Sequence, residues 1–162
     1  MKYASETTVS PEKSRAEIET IIKKYGASKF AYGWEDDGTN AIRFKYQDRN
    51  IQIILHPPDP KSDDFTLVKT SSGWKKRTPG AATAQWEQAV RQRWRALALV
   101  VKAKVEAIES GISTFDQEFL AFTVLPNGQT VGDWLQPQIE EMVETHNMPL
   151  MLPFERLSQS GQ

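Results

Sequence analysis

One short stretch of this 162-residue chain combines residue types suited to a polyanion. Gly73-Trp74-Lys75-Lys76-Arg77-Thr78-Pro79-Gly80 sets an aromatic beside three cations. Single-strand binders use the same pairing: cations neutralise phosphates, and bases stack on exposed rings. Arg91, Arg95 and Lys102 extend the positive strip. Residues 69–104 hold nine Lys/Arg and one acid, Glu87, a balance of +8; residues 105–162 hold one Arg and nine acids, a balance of −8. The division vanishes in the whole-chain net charge of −1. Such asymmetry means either a basic surface for a polyanion or two segments that face each other or share one solvated helix. A pI near 6.2 argues against bulk charge-driven nucleic-acid binding and leaves room for a local patch. Protein-binding loops show the same Trp-plus-cation pattern.

Two more cations sit oddly. On a helix, at about 100° per residue from Trp86, Val90, Leu97, Val101 and Ile108 fall between about 20° and 60°, with Trp94 at about 80°. Gln88, Arg91, Arg95, Lys102, Glu106 and Glu109 make the wet face, where Glu87 and Arg91 are spaced to pair. Arg93 and Lys104 fall inside the apolar stripe. A charge on a buried face is costly unless paired. Either these two line a groove and take an anionic ligand, or Arg93 pairs internally with an acid such as Glu17 or Asp116.

Other chemistry is sparse. The two histidines, His56 and His146, stand 90 residues apart, so no metal site is expected. No nucleotide-binding, zinc-hydrolase, EF-hand or serine-elbow motif occurs. Glu35-Asp36-Asp37 and Asp63-Asp64 read as solvated turns, and Glu140, Glu141 and Glu144 as one wet helix face. No carboxylate pair stands out as acid and base, so nothing argues for catalysis or a cofactor. The absence of cysteine excludes disulfides, thiolate clusters and cysteine nucleophiles. The longest apolar run, Ala96 to Val101, is too short to span a bilayer, and the opening MKYASETTVSPEKS reads as neither signal nor anchor.

Periodicity and caps locate the helices and strands that carry these residues. Ser10-Pro11 opens a helix carrying Ile18, Ile21, Ile22 and Tyr25, and Gly26 stops it. Phe30, Tyr32 and Trp34 alternate on one strand; Ile42, Phe44 and Tyr46 on a second; 51–55 make a third, after a turn at 47–50. Short turns at 36–38 and 47–50 imply an antiparallel meander. His56-Pro57-Pro58-Asp59-Pro60 breaks the pattern, and 59–82 reads as a long connection with a short strand at 65–69. A long helix runs from about Thr83 to Ser110, and a short one lies around 115–121. A small hairpin or tight turn spans 122–131. Thr130-x-x-Asp133 is a capping box for a last helix, which Pro137 should kink or begin. Met148-Pro149-Leu150-Met151-Leu152-Pro153-Phe154 reads as an extended apolar tail packed on another surface.

The stretch 85–135, QWEQAVRQRWRALALVVKAKVEAIESGISTFDQEFLAFTVLPNGQTVGDWL, resembles small proteins often predicted in bacteriophage and prophage genomes. The segment YGASKFAYGWEDD at 25–37 resembles the same set, and the similarity covers roughly 10–153. That family has no assigned activity, so no functional residue carries over. The resemblance implies a phage or mobile-element protein in a bacterial cytoplasm. Small proteins of such genomes commonly serve DNA replication or recombination, or inhibit host defences.

The expected fold is α+β: a three-stranded antiparallel meander against one long helix, with N-terminal and C-terminal helices beside it. Residues 1–9 are a flexible N-terminus, 10–153 a single domain and 154–162 a flexible tail. Two functions stay open. One is nucleic-acid binding, single-stranded or duplex, through Trp74, Lys75, Lys76, Arg77, Arg91, Arg95 and Lys102. The other is a protein-interaction module, an assembly factor or inhibitor. It would use Met148, Leu150, Met151, Leu152 and Phe154 with the acidic last helix, toward a partner or a second copy. No cofactor, metal or membrane is expected in either.

Overall fold

The computed structural model of the protein describes residue 4 and residues 6–147. The apolar segment from Met148 to Phe154 lies outside the described residues, as do 1–3, 5 and 155–162.

Helix α1 (Pro11–Lys24) starts where expected. The Ser10 hydroxyl accepts the Lys13 amide, and Pro11 occupies a position whose own amide needs no partner. Gly26, at φ 98°, takes the left-handed turn that ends the helix. Strands β1 (Ser28–Trp34), β2 (Asn40–Tyr46) and β3 (Arg49–Leu55) form an antiparallel sheet with β2 in the middle. Tyr32, Ile42 and Ile53 stand in one cross-strand row, and Phe44 faces Ile51. The turn before β3 is tighter than the expected 47–50. Gln47 adopts φ 49°, so Tyr46 pairs with Arg49 and two residues close the hairpin.

The long connection expected at 59–82 is instead built structure. Ser62 caps a single turn, α2 (Asp63–Thr66). Strands β4 (Leu67–Thr70) and β5 (Gly73–Lys76) come next as a separate two-stranded hairpin. Ser71-Ser72 makes its turn, and Gly73 supplies φ 115°.

Helix α3 (Pro79–Glu109) is 31 residues long, about 46 Å. It begins four residues before the expected Thr83, because Thr78 caps the Ala81 amide and Pro79 takes the first position. Its buried residues are Trp94, Ala98, Val101 and Val105. On the same wheel these centre near 90°, about 50° round from the expected stripe. The cause is α1, which lies alongside α3; the fully buried Ala98 lets the two helices approach. Val90, Leu97 and Ile108 become a half-buried flank, so Arg93 and Lys104 stand at the border of the core. The core joins Ile18 and Ile22 of α1, Ile42, Phe44, Ile51 and Ile53 of the sheet, and these α3 residues.

Phe119 closes the core from α4 (Phe115–Phe119), edge-on to Phe44 at 5.8 Å between ring centres. A 3₁₀ turn (Leu120–Phe122) leads to bridges from Thr123 to Ile51 and from Val124 to Thr130. The expected small hairpin is therefore one bridge around Pro126-Asn127-Gly128. Helix α5 (Val131–Thr145) opens on the Thr130/Asp133 capping box and runs on through Pro137. Gly132 is required at its start: a Cβ there would lie 2.9 Å from the Ala121 carbonyl oxygen. Among the described residues, no helix is long and apolar enough to cross a membrane.

Candidate nucleic-acid interface

Cross-strand partners in an antiparallel pair share a face. In the β4–β5 hairpin Leu67 pairs with Lys76, Val68 with Lys75, and Lys69 with Trp74. One face therefore carries Leu67, Lys69, Trp74 and Lys76, and the other carries Val68 and Lys75. Trp74 is 69% exposed, and Lys69, Lys75 and Lys76 are exposed beside it. None of these lysines forms an ion pair with a described residue. The result is an exposed indole on the same face of a two-stranded ribbon as Lys69 and Lys76.

Arg77 has another task. Its amide donates to the Thr66 carbonyl (2.7 Å) and its Nε to the Leu67 carbonyl (3.1 Å), which ties the base of the hairpin to α2. The hairpin tip is fixed by the Thr70 hydroxyl, which donates to the Gly73 carbonyl at 2.7 Å.

The α3 cations do not extend this surface as one strip. Arg91, Arg95 and Lys102 lie about 18, 24 and 35 Å along the axis from Pro79. Arg91 donates from Nε and Nη2 to Gln88 Oε1 (2.9 and 2.6 Å) rather than pairing with Glu87. Gln88 is one turn away and already half-buried. Arg95 is salt-bridged to Glu17 of α1. Lys102 is exposed and forms no ion pair with a described residue.

Arg93 and Lys104 are separated. Arg93 donates to the His56 carbonyl and lines an open groove of about 1180 Å³ along the back of α3. That groove is walled by Pro58, Phe65, Ala89, Ala96 and Val100 and also holds Asp59 and Asp64, so it is no anion cradle. Lys104 donates to the Glu118 carbonyl (2.8 Å) and carboxylate (3.0 Å), with its ammonium 5.7 Å from the Phe119 ring. The internal partner expected for Arg93 is thus a carbonyl. Glu17 takes Arg95, and Asp116 takes Arg49 at 3.2 Å.

The acidic turn at 35–37 is structural. The Asp37 carboxylate accepts the Thr39 amide (2.8 Å) and hydroxyl (3.0 Å). These bonds, then the nearby His56, hold Asp37 below the usual carboxylate range. No cluster among the described residues fits a metal ion. Glu140, Glu141 and Glu144 are exposed on α5 and pair with none of the basic residues described. The acidic helix therefore leaves the hairpin lysines uncovered.

Lys69 is the functional candidate that sequence reasoning passed over. Only the strand register places it opposite Trp74. The signal that would have found it is Ser71-Ser72-Gly73, a two-residue turn between 67–70 and 73–76. Comparison with protein-family models, with curated proteins and with solved structures finds no match to this chain.

Proposed function

We propose that this protein binds single-stranded nucleic acid through the β4–β5 hairpin. One observation carries the reading: Trp74 is held 69% exposed with Lys69 across the ladder and Lys76 two residues along, on the same face. An indole left in water forgoes the stabilisation that burial gives Trp94. A splayed base covers it by stacking, while the flanking ammonium groups meet adjacent phosphates. A duplex keeps its base faces stacked inside and offers Trp74 nothing comparable. Lys75 adds a third cation from the other face. Arg77, Arg91 and Arg95 act in the scaffold, and Lys102 is too distant to share a short ligand.

Three lysines set the scale. Single-strand affinity should fall with salt at a slope of about −0.7 per phosphate neutralised, hence about −2 in total. That marks an accessory binder of modest affinity. An accessory role in phage DNA replication or recombination, in a bacterial cytoplasm, rests on the resemblance of 85–135 to phage proteins.

Fluorescence anisotropy with labelled single-stranded DNA, duplex DNA and RNA tests the reading. Single strands should bind tighter than duplex, and Trp74→Ala should cost about fivefold or more, the lower bound for losing one stacked base. Equal affinity for duplex, or an unchanged affinity in Trp74→Ala, would refute the stacking role.

A further inference from the structure

Helix α5 shows an apolar face that the described residues cover only at its start. At about 100° per residue, Val131, Leu135, Ile139, Met142 and Val143 fall within about 120° of one another. Gly132 seats the first turn on Ala121. Beyond it an apolar groove of about 570 Å³ opens between Leu120, Ala121, Leu135 and Ile139. Leu120 is 53%, Ile139 47% and Val143 65% exposed. No residue of α5 is buried, and Pro137 removes a hydrogen bond from its interior. A 15-residue helix with such a defect is marginal in water without tertiary cover. Its second half therefore needs a partner surface.

We propose that residues 148–154 of this same chain occupy the groove. The helix ends at His146 in the left-handed conformation, φ 54° and ψ 19°, so the chain does not continue along the helix axis. The segment beyond it, Met148-Pro149-Leu150-Met151-Leu152-Pro153-Phe154, holds five large apolar residues and no charge. Pro149 and Pro153 keep such a segment from continuing the helix and favour extended backbone. The reach suffices. Ile139 and Leu135 lie about 10 and 16 Å back along the axis from His146, and six extended residues span about 20 Å. Extended backbone would put Leu150 and Leu152 on one side of the segment, the side this proposal sets against the groove.

Charge selects this occupant over a second copy. Glu140 lines the edge of the groove, so a second α5 packed face to face would bring a like carboxylate against it. An uncharged segment carries no such penalty, and its covalent attachment makes the contact intramolecular.

The chain has no cysteine, so engineered pairs report without background. Ile139→Cys is combined with Leu152→Cys and, separately, with Leu150→Cys. The control pairs Glu141→Cys, exposed on the far side of α5 at a similar tether length, with Leu152→Cys. The full chain is oxidised mildly and followed by non-reducing gel and intact mass, with circular dichroism to confirm the fold. At least one Ile139 pair should close within the monomer at least about tenfold faster than the control. Equal rates would show an undocked tail and overturn the proposal. Disulfide-linked dimers from the Ile139 pairs would overturn it in favour of a second copy.

Discussion

The β4–β5 hairpin and helix α5 each leave large apolar side chains in water, and they differ in what surrounds them. Trp74 stands among Lys69, Lys75 and Lys76; Ile139 lies beside Glu140 at the edge of an apolar groove, with Glu141 and Glu144 on the far side of the helix. The hairpin is tied at its base by Arg77 and at its tip by Thr70, and its aromatic is exposed. Helix α5 is seated only at its first turn, and its aliphatic face lacks cover. Exposed apolar surface thus has two meanings here, and the neighbouring charge separates them. Cations around an indole suit a polyanion that also offers a ring to stack. An acid at the edge of an aliphatic groove suits an uncharged segment of chain.

That contrast breaks if damage to one region spreads to the other. The largest effect is expected from Gly132→Val, which drives side-chain carbons against the Ala121 carbonyl. It should cost about 1–3 kcal/mol and remove helical signal from α5, with oligonucleotide binding unchanged. Thermal melts and anisotropy on the same variant check both halves. Trp74→Ala should do the reverse, losing about 1–3 kcal/mol of binding free energy with the melting temperature unmoved. Thr130→Ala removes the cap that accepts the Asp133 amide at 3.1 Å and should lower stability by about 1 kcal/mol, read in urea denaturation.

The smallest effect is a pH dependence that spares the hairpin. Hydrogen bonds from Thr130 hold Asp133 below its ordinary 3.8, and those from Thr39 do the same for Asp37. A folded-state pKa below the unfolded one contributes stability that is complete above the unfolded value and lost as pH falls through the folded value. Melts between pH 7 and pH 2 should therefore be flat down to about 5 and decline below it. The hairpin has no carboxylate partner to lose.

Much of the fold was legible because its signals are local. Ser10-Pro11, the alternating aromatics of β1 and β2, and Thr130-x-x-Asp133 each act within a few residues. The phase of α3 was not legible, because the fully buried Ala98 reflects the close approach of α1 rather than hydrophobicity. The charge cluster was visible in composition, but which cations are free depends on distant partners. Arg95 is spent on Glu17, Lys104 on Glu118 and Arg93 on the His56 carbonyl, between 14 and 78 residues away. Of the hairpin only the first strand was expected, at 65–69; β5 was read as loop because a four-residue strand carries too little alternation to announce itself.

The most direct measurement is the salt dependence of single-strand binding in two multiple variants. One carries Lys69→Ala, Lys75→Ala and Lys76→Ala; the other carries Arg91→Ala and Lys102→Ala on α3. The hairpin variant should lose the salt slope of about −2 together with most of the affinity, while the α3 variant keeps both. An undiminished slope in the hairpin variant, or its loss in the α3 variant, would contradict a hairpin-centred interface.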